Sequence, residues 1–254
     1  GCMKNILALD FDGVIWDSVG ECFVMARRAY QNLYGLPCAD LEAPFRRGRW
    51  LVRTGGDFLL ILQLAMQDPD GDLSHYSKSE FARLQKEKAS ECAEFESEFY
   101  GLRRKCRDEN WQEWVSYQKP YPLFLEQLKD LRTFFDEVVV CTTKDSRSAQ
   151  LLLESADLDF AIWGKENGVD KGQQIADICR QREVTAQQIF FIDDLVENLQ
   201  QVAATGAGCG LAVWGYNTPL ERQHAQEAGY TLLEVYSVAK DLRALIGQGC
   251  PSPG

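Results

Sequence analysis

Residues 6–14 read ILALDFDGV, and the organisation of the whole chain can be worked out from this stretch. Four apolar residues are followed by two acidic ones, Asp10 and Asp12, on either side of Phe11. A short apolar run that stops at a carboxylate predicts a buried β-strand followed by a loop. Aspartates also favour turns for local reasons. A functional interpretation of the pair therefore needs support from elsewhere in the chain.

That support comes from two further apolar runs that stop at polar side chains. The run at 138–141 is followed by Thr142 and Thr143, and the run at 189–192 is followed by Asp193 and Asp194. Helical patterns separate these runs, and such alternation indicates a parallel sheet with crossover helices. Ligands bind beyond the carboxyl ends of parallel strands. We therefore expect the three sets of polar residues to meet at one edge of the sheet.

The segment between the first two runs has a different character. Strand-like patterns are absent from residues 18–118, where amphipathic helices are predicted, with a break near Gly101 and a stiff Pro-rich joint at 119–122. The predicted fold is an α/β, doubly wound parallel-sheet (Rossmann-like) core of residues 1–17 and 119–254. An α-helical cap domain of residues 18–118 is inserted into it. Arg103, Arg104, Lys105 and Arg107 are predicted to form a solvated helix face.

Composition limits the possible functions. The chain has 254 residues, 45% of them hydrophobic, and a net charge of −11. This charge argues against general binding of nucleic acid, which requires a basic surface. No apolar run approaches the roughly 18 residues of a membrane span, and the segment before Asp10 is too short for a signal peptide. The nine cysteines form no C-x-x-C pair, which predicts free thiols in a reducing, cytoplasmic compartment.

Carboxylates gathered at one sheet edge require a positive partner, and hard oxygen ligands around an open position suit Mg²⁺. An ionised Asp10 could then attack phosphorus as a nucleophile. Asp12 could act as general acid and then as general base. A hydroxyl at Thr142 and an ammonium such as Lys171 could hold the phosphoryl oxygens. Thr142 could equally be the N-cap of the following helix.

Together these segments resemble the four motifs of the haloacid dehalogenase (HAD) superfamily, with the inserted helices in the place of a C1-type cap. The resemblance implies that Asp10 is the nucleophile and a metal ligand, and that Asp12 is the acid/base and offers its backbone carbonyl to the metal. It further implies that Asp193 and Asp194 complete a Mg²⁺ site. Thr142, Thr143 and Lys171 would bind the phosphoryl group, with Lys165 as the alternative lysine. Asn198 stands where many relatives carry another aspartate. The segment VWGYN at 213–217 resembles phosphoglycolate-phosphatase-like members.

The expected activity is hydrolysis of a small phosphorylated metabolite. Two alternatives stay open: a phosphomutase of the same fold, and a catalytically silent binding protein. Arginines at positions 46, 47, 49 and 53 form the densest basic cluster of the predicted cap. Arg46 and Arg49 are predicted to bind a second anionic group of the substrate, because guanidinium binds carboxylate or phosphate in a bidentate manner. The alternative is a solvated helix face.

Overall fold

The computed structural model describes residues 4–36 and 39–247. Residues 1–3, 37–38 and 248–254 therefore lie outside the described residues. Three of the nine cysteines, Cys2, Cys38 and Cys250, are among them. Within the described part, the chain divides into two compact units. One unit ends at Asp17 and resumes at Pro120, and the other runs from Ser18 to Lys119.

The first unit contains a six-stranded sheet in which every neighbouring pair of strands is parallel. Its strands are β1 (Ile6–Leu9), β4 (Glu137–Cys141), β5 (Ala161–Trp163), β6 (Ile189–Asp193), β7 (Gly208–Ala212) and β8 (Thr231–Leu233). They lie side by side in the order β5-β4-β1-β6-β7-β8. Two short strands, β2 (Trp16–Asp17) and β3 (Lys119–Pro120), form a separate two-stranded sheet. The predicted α/β fold with a parallel sheet is confirmed.

Helices alternate with the strands of the sheet, and the last helix follows the last strand. They are α7 (Pro122–Leu131), α8 (Ser146–Ser155), α9 (Lys171–Arg182), α10 (Val196–Ala203), α11 (Pro219–Glu227) and α12 (Val238–Gly247). The sequence indicated only a stiff joint where α7 begins. In the structure Pro122 occupies its first turn, where the missing N–H of proline costs no helical hydrogen bond.

The position of β1 explains how the polar strand ends come together. β1 lies between β4 and β6, with Leu9 opposite Val140 on one side and Ile192 on the other. The three strands therefore stop almost level with one another. All residues of β1 and β6 are buried, as expected for strands covered on both faces. The next residue of each strand presents its side chain at the same edge of the sheet.

The second unit is helical. It contains α1 (Val19–Tyr34), α2 (Glu42–Gly48), α3 (Asp57–Gln67), α4 (Lys78–Glu87), α5 (Ala89–Glu109) and α6 (Trp111–Ser116). The helix break expected near Gly101 is wrong. Gly101 lies inside α5 and faces open space, and the interruptions occur at Lys88 and Asn110. None of the described helices combines the length and the hydropathy that a membrane span requires.

The solvated helix face predicted on α5 is wrong for two of its four residues. Arg103 and Arg107 are buried, whereas Arg104 and Lys105 are exposed. The Arg103 guanidinium donates from Nε and Nη2 to the two carboxylate oxygens of Glu21, at 2.8 and 2.7 Å. The Trp114 indole N–H donates to the same carboxylate at 3.0 Å. Arg103 is thus buried because it is paired with Glu21, a buried carboxylate of α1.

Candidate active site

Three carboxylates meet at the edge of the sheet where β1 and β6 end. Oxygen atoms of Asp10, Asp193 and Asp194 all lie within 4.8 Å of one another. The three side chains are buried, with Asp10 only 7% exposed and Asp193 fully buried. Removing several ionised carboxylates from water together is costly unless positive charge compensates them. The cluster therefore needs compensating positive charge, from cations or from a bound proton.

Lys171, the first residue of α9, supplies one of these positive charges. Its Nζ atom lies 2.9 Å from the Oδ1 of Asp10 and 3.2 Å from the Oδ2 of Asp193. It also donates to the carbonyl oxygen of Cys141 at 2.6 Å. Burial by itself lowers the pKa of the Lys171 ammonium, but the attraction of Asp10 and Asp193 outweighs burial and the pKa is raised. Of the two lysines that the sequence offered, Lys171 is the one that contacts the carboxylates, and Lys165 lies in a 3-10 turn after β5.

One ammonium does not balance three carboxylates. Burial, followed by repulsion from Asp193, raises the pKa of Asp10 from 3.8 to about 7, although Lys171 opposes both effects. A divalent cation among the three carboxylates would reverse this shift, because a nearby opposite charge favours the ionised form. Clustered carboxylate oxygens without histidine or thiolate are the donors that Mg²⁺ prefers. The residues present therefore fit a magnesium site made by Asp10, Asp193 and Asp194.

Asp194 is held in place by the segment that follows β7. The backbone N–H of Tyr216 donates to its Oδ2 at 2.8 Å, and the Asn217 amide donates to its carbonyl oxygen at 3.0 Å. Two glycines pack against the carboxylate. A Cβ atom on Gly13 would lie 2.2 Å from the Asp194 Oδ2, and one on Gly215 would lie 2.3 Å from the Asp194 Cβ. Gly13 also has a positive φ of 85°. Only residues without a side chain fit at these two positions.

Asp193 is oriented by donors from α10 and the turn before it. The backbone N–H of Leu195 donates to its Oδ1 at 2.9 Å, and the Asn198 amide nitrogen lies 3.2 Å from both carboxylate oxygens. Asn198 is therefore a buried donor to Asp193. Partners of this kind fix the direction of a metal-binding carboxylate.

Thr142 and Thr143 follow β4 at the same edge. Thr142 is buried, and its hydroxyl accepts a hydrogen bond from the backbone N–H of Lys144 at 3.0 Å. The N-cap of α8 is Asp145, whose side chain accepts from Ser148, so Thr142 does not have the capping role that remained possible. The amide of Gln174 donates to the carbonyl oxygens of Thr142 and Gly164 at 3.0 and 3.3 Å. Sequence reasoning gave no role to Gln174.

Asp12 lies beside the cluster and has a basic partner that sequence reasoning also missed. The Lys144 Nζ atom is 3.1 Å from its Oδ1 and 3.5 Å from its Oδ2. The only available signal was the position of Lys144, two residues beyond Thr142 in a polar turn. The Asp12 side chain is 12% exposed and is the most accessible of the four carboxylates. The expectation that its backbone carbonyl binds the metal stays a prediction.

The arginines of the predicted cap lie in the second unit. Arg47 forms an exposed ion pair with Asp72 at 3.8 Å, and the Arg53 guanidinium donates to the carbonyl oxygen of Trp50 at 3.3 Å. Arg49 is half-buried and lies over the ring of Phe58, whereas Arg46 is exposed on α2. Binding of a substrate anion by Arg46 and Arg49 stays a prediction.

Comparison with known proteins relates the chain to others through its fold. No family model matches the sequence, and no curated protein matches it. Solved structures do match. A predicted phosphoglycolate phosphatase from Haemophilus somnus superposes with a TM-score of 0.67 at 17% identity, over 95% of this chain and all (100%) of that one. A haloacid dehalogenase-like hydrolase from Streptococcus pneumoniae gives 0.65 at 16% identity, over 96% of this chain and 98% of that one.

A third structure, a predicted phosphatase from Clostridium acetobutylicum, gives a TM-score of 0.60 at 16% identity, over 96% of this chain and 100% of that one. The similarity extends over nearly the full length of each protein. The chain therefore has the fold of the haloacid dehalogenase-like hydrolases, as the four motifs indicated.

Proposed function

We propose that this chain is a Mg²⁺-dependent phosphatase of the HAD type that hydrolyses a small phosphorylated metabolite through an aspartyl-phosphate on Asp10. The observation that carries the proposal is the position of the Asp10 carboxylate. This carboxylate accepts a hydrogen bond from the buried Lys171 ammonium and lies close to the carboxylates of Asp193 and Asp194. The more accessible Asp12 follows Asp10 by two residues in the sequence. The proteins named as phosphatases that share the fold support the same activity class.

The first half of the reaction transfers the phosphoryl group to the protein. A carboxylate oxygen of Asp10 forms a bond to phosphorus, and the bond from phosphorus to the leaving-group oxygen breaks. Asp12 donates a proton to that oxygen. Phe11 and Lys171 both donate to the Oδ1 of Asp10, at 2.8 and 2.9 Å, which fixes the orientation of the nucleophile. The Lys171 ammonium and the Thr142 hydroxyl are proposed to hold the phosphoryl oxygens.

The second half releases phosphate. Asp12, now ionised, takes a proton from a water molecule while the water oxygen bonds to phosphorus. The bond from phosphorus to Asp10 breaks, and inorganic phosphate leaves. When bound by Asp10, Asp193 and Asp194, Mg²⁺ would supply positive charge that offsets the repulsion between the phosphate and the carboxylates. Thr143, half-buried beside Thr142, is proposed as a further donor to the phosphate.

Substrate choice is a separate part of the proposal. The residues around Asp10 act on any phosphate ester, so they cannot distinguish one leaving group from another. We assign this role to the helical second unit, with Arg46 and Arg49 as the groups that would bind a second anion on the substrate.

A screen of phosphorylated metabolites for phosphate release, with and without Mg²⁺, tests the proposal. Wild-type protein should release phosphate in steady turnover, whereas a phosphomutase would return it to a second position on the product. The Asp10→Asn variant should lose turnover and keep its fold, because the amide preserves shape but is no nucleophile. Asp130→Asn, an exposed position on α7, is the matched control and should stay active. More than a few per cent of wild-type turnover in Asp10→Asn would rule out the covalent mechanism.

A further inference from the structure

Lys144 is a buried lysine that the reaction described above does not use. Its side chain is fully buried, and its ammonium lies against both carboxylate oxygens of Asp12, at 3.1 and 3.5 Å. The ammonium also lies 5.9 Å from the centre of the Phe11 ring. Lysines are almost never fully buried without a partner. The partner of Lys144 is the Asp12 carboxylate.

The backbone of Lys144 is fixed from two directions. Its N–H donates to the Thr142 hydroxyl at 3.0 Å, and its carbonyl oxygen accepts from the Lys165 N–H at 2.9 Å. The Phe11 ring below the ammonium is itself stacked on Trp16, with ring centres 5.8 Å apart. The backbone of Lys144 and the Phe11 ring are thus each held by neighbouring groups. The contact with the Lys144 ammonium then restricts the rotamers open to the Asp12 carboxylate.

We propose that Lys144 is a positioning residue for Asp12: it holds the carboxylate in the direction needed for proton transfer to the leaving group and from water. The inference rests on the phosphatase function proposed above and adds a residue to it. Proton transfer requires an Asp12 oxygen within hydrogen-bond distance of the reacting oxygen. A carboxylate on a mobile side chain spends only part of its time there. Lys144 itself transfers no proton and acts through Asp12.

A double-mutant cycle separates this role from direct contact with the phosphate. Wild type, Asp12→Asn, Lys144→Met and the double variant are compared on an activated aryl phosphate, whose departure needs little acid assistance. The burst of aryl alcohol reports attack by Asp10, and steady turnover reports the later step that needs Asp12 as base. Lys240→Met, at an exposed position on α12, is the matched control and should resemble wild type.

Lys144→Met should keep a burst near one equivalent while its kcat falls roughly ten- to a hundredfold, the usual scale for a misplaced acid/base group. On an alkyl phosphate, where the first step also needs an acid, the loss should extend to kcat/KM. The double variant should turn over no more slowly than Asp12→Asn, because Lys144 has nothing left to position. If Lys144→Met does not fold, Lys144→Gln takes its place in the cycle with the same expectations.

Three results would overturn the inference. The first is unchanged turnover in Lys144→Met, and the second is loss of the burst, which would place Lys144 on the phosphoryl group. The third is a double variant whose turnover lies as many-fold below that of Asp12→Asn as the turnover of Lys144→Met lies below that of wild type. Failure of the proposed function looks different: the wild-type protein would then release no phosphate from any substrate, and the inference would fall with it.

Discussion

The Lys171 ammonium lies 2.9 Å from the Asp10 carboxylate, although the two residues are 161 positions apart in the sequence. The same nitrogen contacts Asp193 and the carbonyl oxygen of Cys141, so a single side chain joins the ends of β1, β4 and β6. Lys171 thus has a structural role even before any substrate binds. It is also the only positive charge within 3.2 Å of Asp10 and Asp193 among the described residues, and this imbalance of charge leads to the first two predictions.

The stability of the metal-free protein should depend on the protonation of Asp10. Its pKa is raised from 3.8 to about 7, so between these values the folded state holds a proton that the unfolded state has lost. This group therefore lowers the free energy of unfolding as pH rises, by about 1.4 kcal/mol per pH unit within that window and no further above it. Asp10→Asn lacks the group. In excess chelator, its Tm should exceed that of wild type by a margin that grows from about pH 4 to pH 7. A margin independent of pH would contradict this.

Magnesium should stabilise the protein and restore turnover after chelation. Mg²⁺ at about a hundredfold its Kd should add about 2.7 kcal/mol to the free energy of unfolding. Asp194→Asn should show a smaller shift in Tm, because it removes one carboxylate from the site. Ca²⁺ prefers more ligands at longer distances, so it should stabilise the fold but support little turnover. Full activity in excess chelator, or equal rates with the two ions, would remove the metal from the proposal.

Gly215 should be essential for the geometry of Asp194. An added Cβ atom would lie 2.3 Å from the Asp194 Cβ and 2.4 Å from the carbonyl oxygen of Gly13, so one of these groups must move. We expect Gly215→Ala to weaken Mg²⁺ binding roughly tenfold, the lower end of the effect of disturbing groups that orient metal ligands. Gly101→Ala is the control, because a Cβ atom there meets nothing within 4 Å. Titration calorimetry compares the two, and equal affinities would show that the loop relaxes.

Arg103 should contribute strongly to the stability of the second unit. Replacing it with methionine removes the guanidinium from the Glu21 carboxylate, which stays buried, and breaking such a pair from one side typically costs about 3–5 kcal/mol. Arg83→Met breaks a comparable set of contacts to Glu80 and Glu87 in solvent and should cost much less. Unfolding in denaturant measures both. Similar losses in the two variants would mean that burial of the Glu21–Arg103 pair has no special effect.

Arg46 and Arg49 should affect binding of an anionic substrate. Loss of one charged hydrogen bond of about 1.5–3 kcal/mol corresponds to a rise in KM of roughly ten- to a hundredfold. Arg46→Ala and Arg49→Ala are to be assayed on the best natural substrate and on a small aryl phosphate without a second anion, for which little change is expected. Arg104→Ala, exposed on α5, is the control. If both variants bind both substrates normally, the arginines form only a solvated face.

Strand ends were the most informative part of the sequence. Asp10, Thr142, Asp193 and Asp194 could be grouped in advance because parallel strands end at one edge, whatever the details of packing. Lys144 could not be placed in this way, since the direction of its side chain depends on the turn after Thr142, whose backbone is held by hydrogen bonds with Thr142 and Lys165. Arg103 was misjudged for a related reason. Its partner Glu21 lies 82 residues away, and no pattern within α5 reveals that contact.

The place of β1 between β4 and β6 has a consequence for synthesis on the ribosome. Both strands that pair with β1 lie beyond residue 136, so β1 emerges long before either partner exists. The helical unit from Ser18 to Lys119 is contiguous and can fold meanwhile from its own contacts. Pairing of β1 on both of its edges waits for residues 189–193, and pairing over such sequence distances is slow. Until then the nascent chain carries a fully apolar strand with open edges. Aggregation is therefore the greatest hazard while the chain is translated from the end of β1 to residue 193.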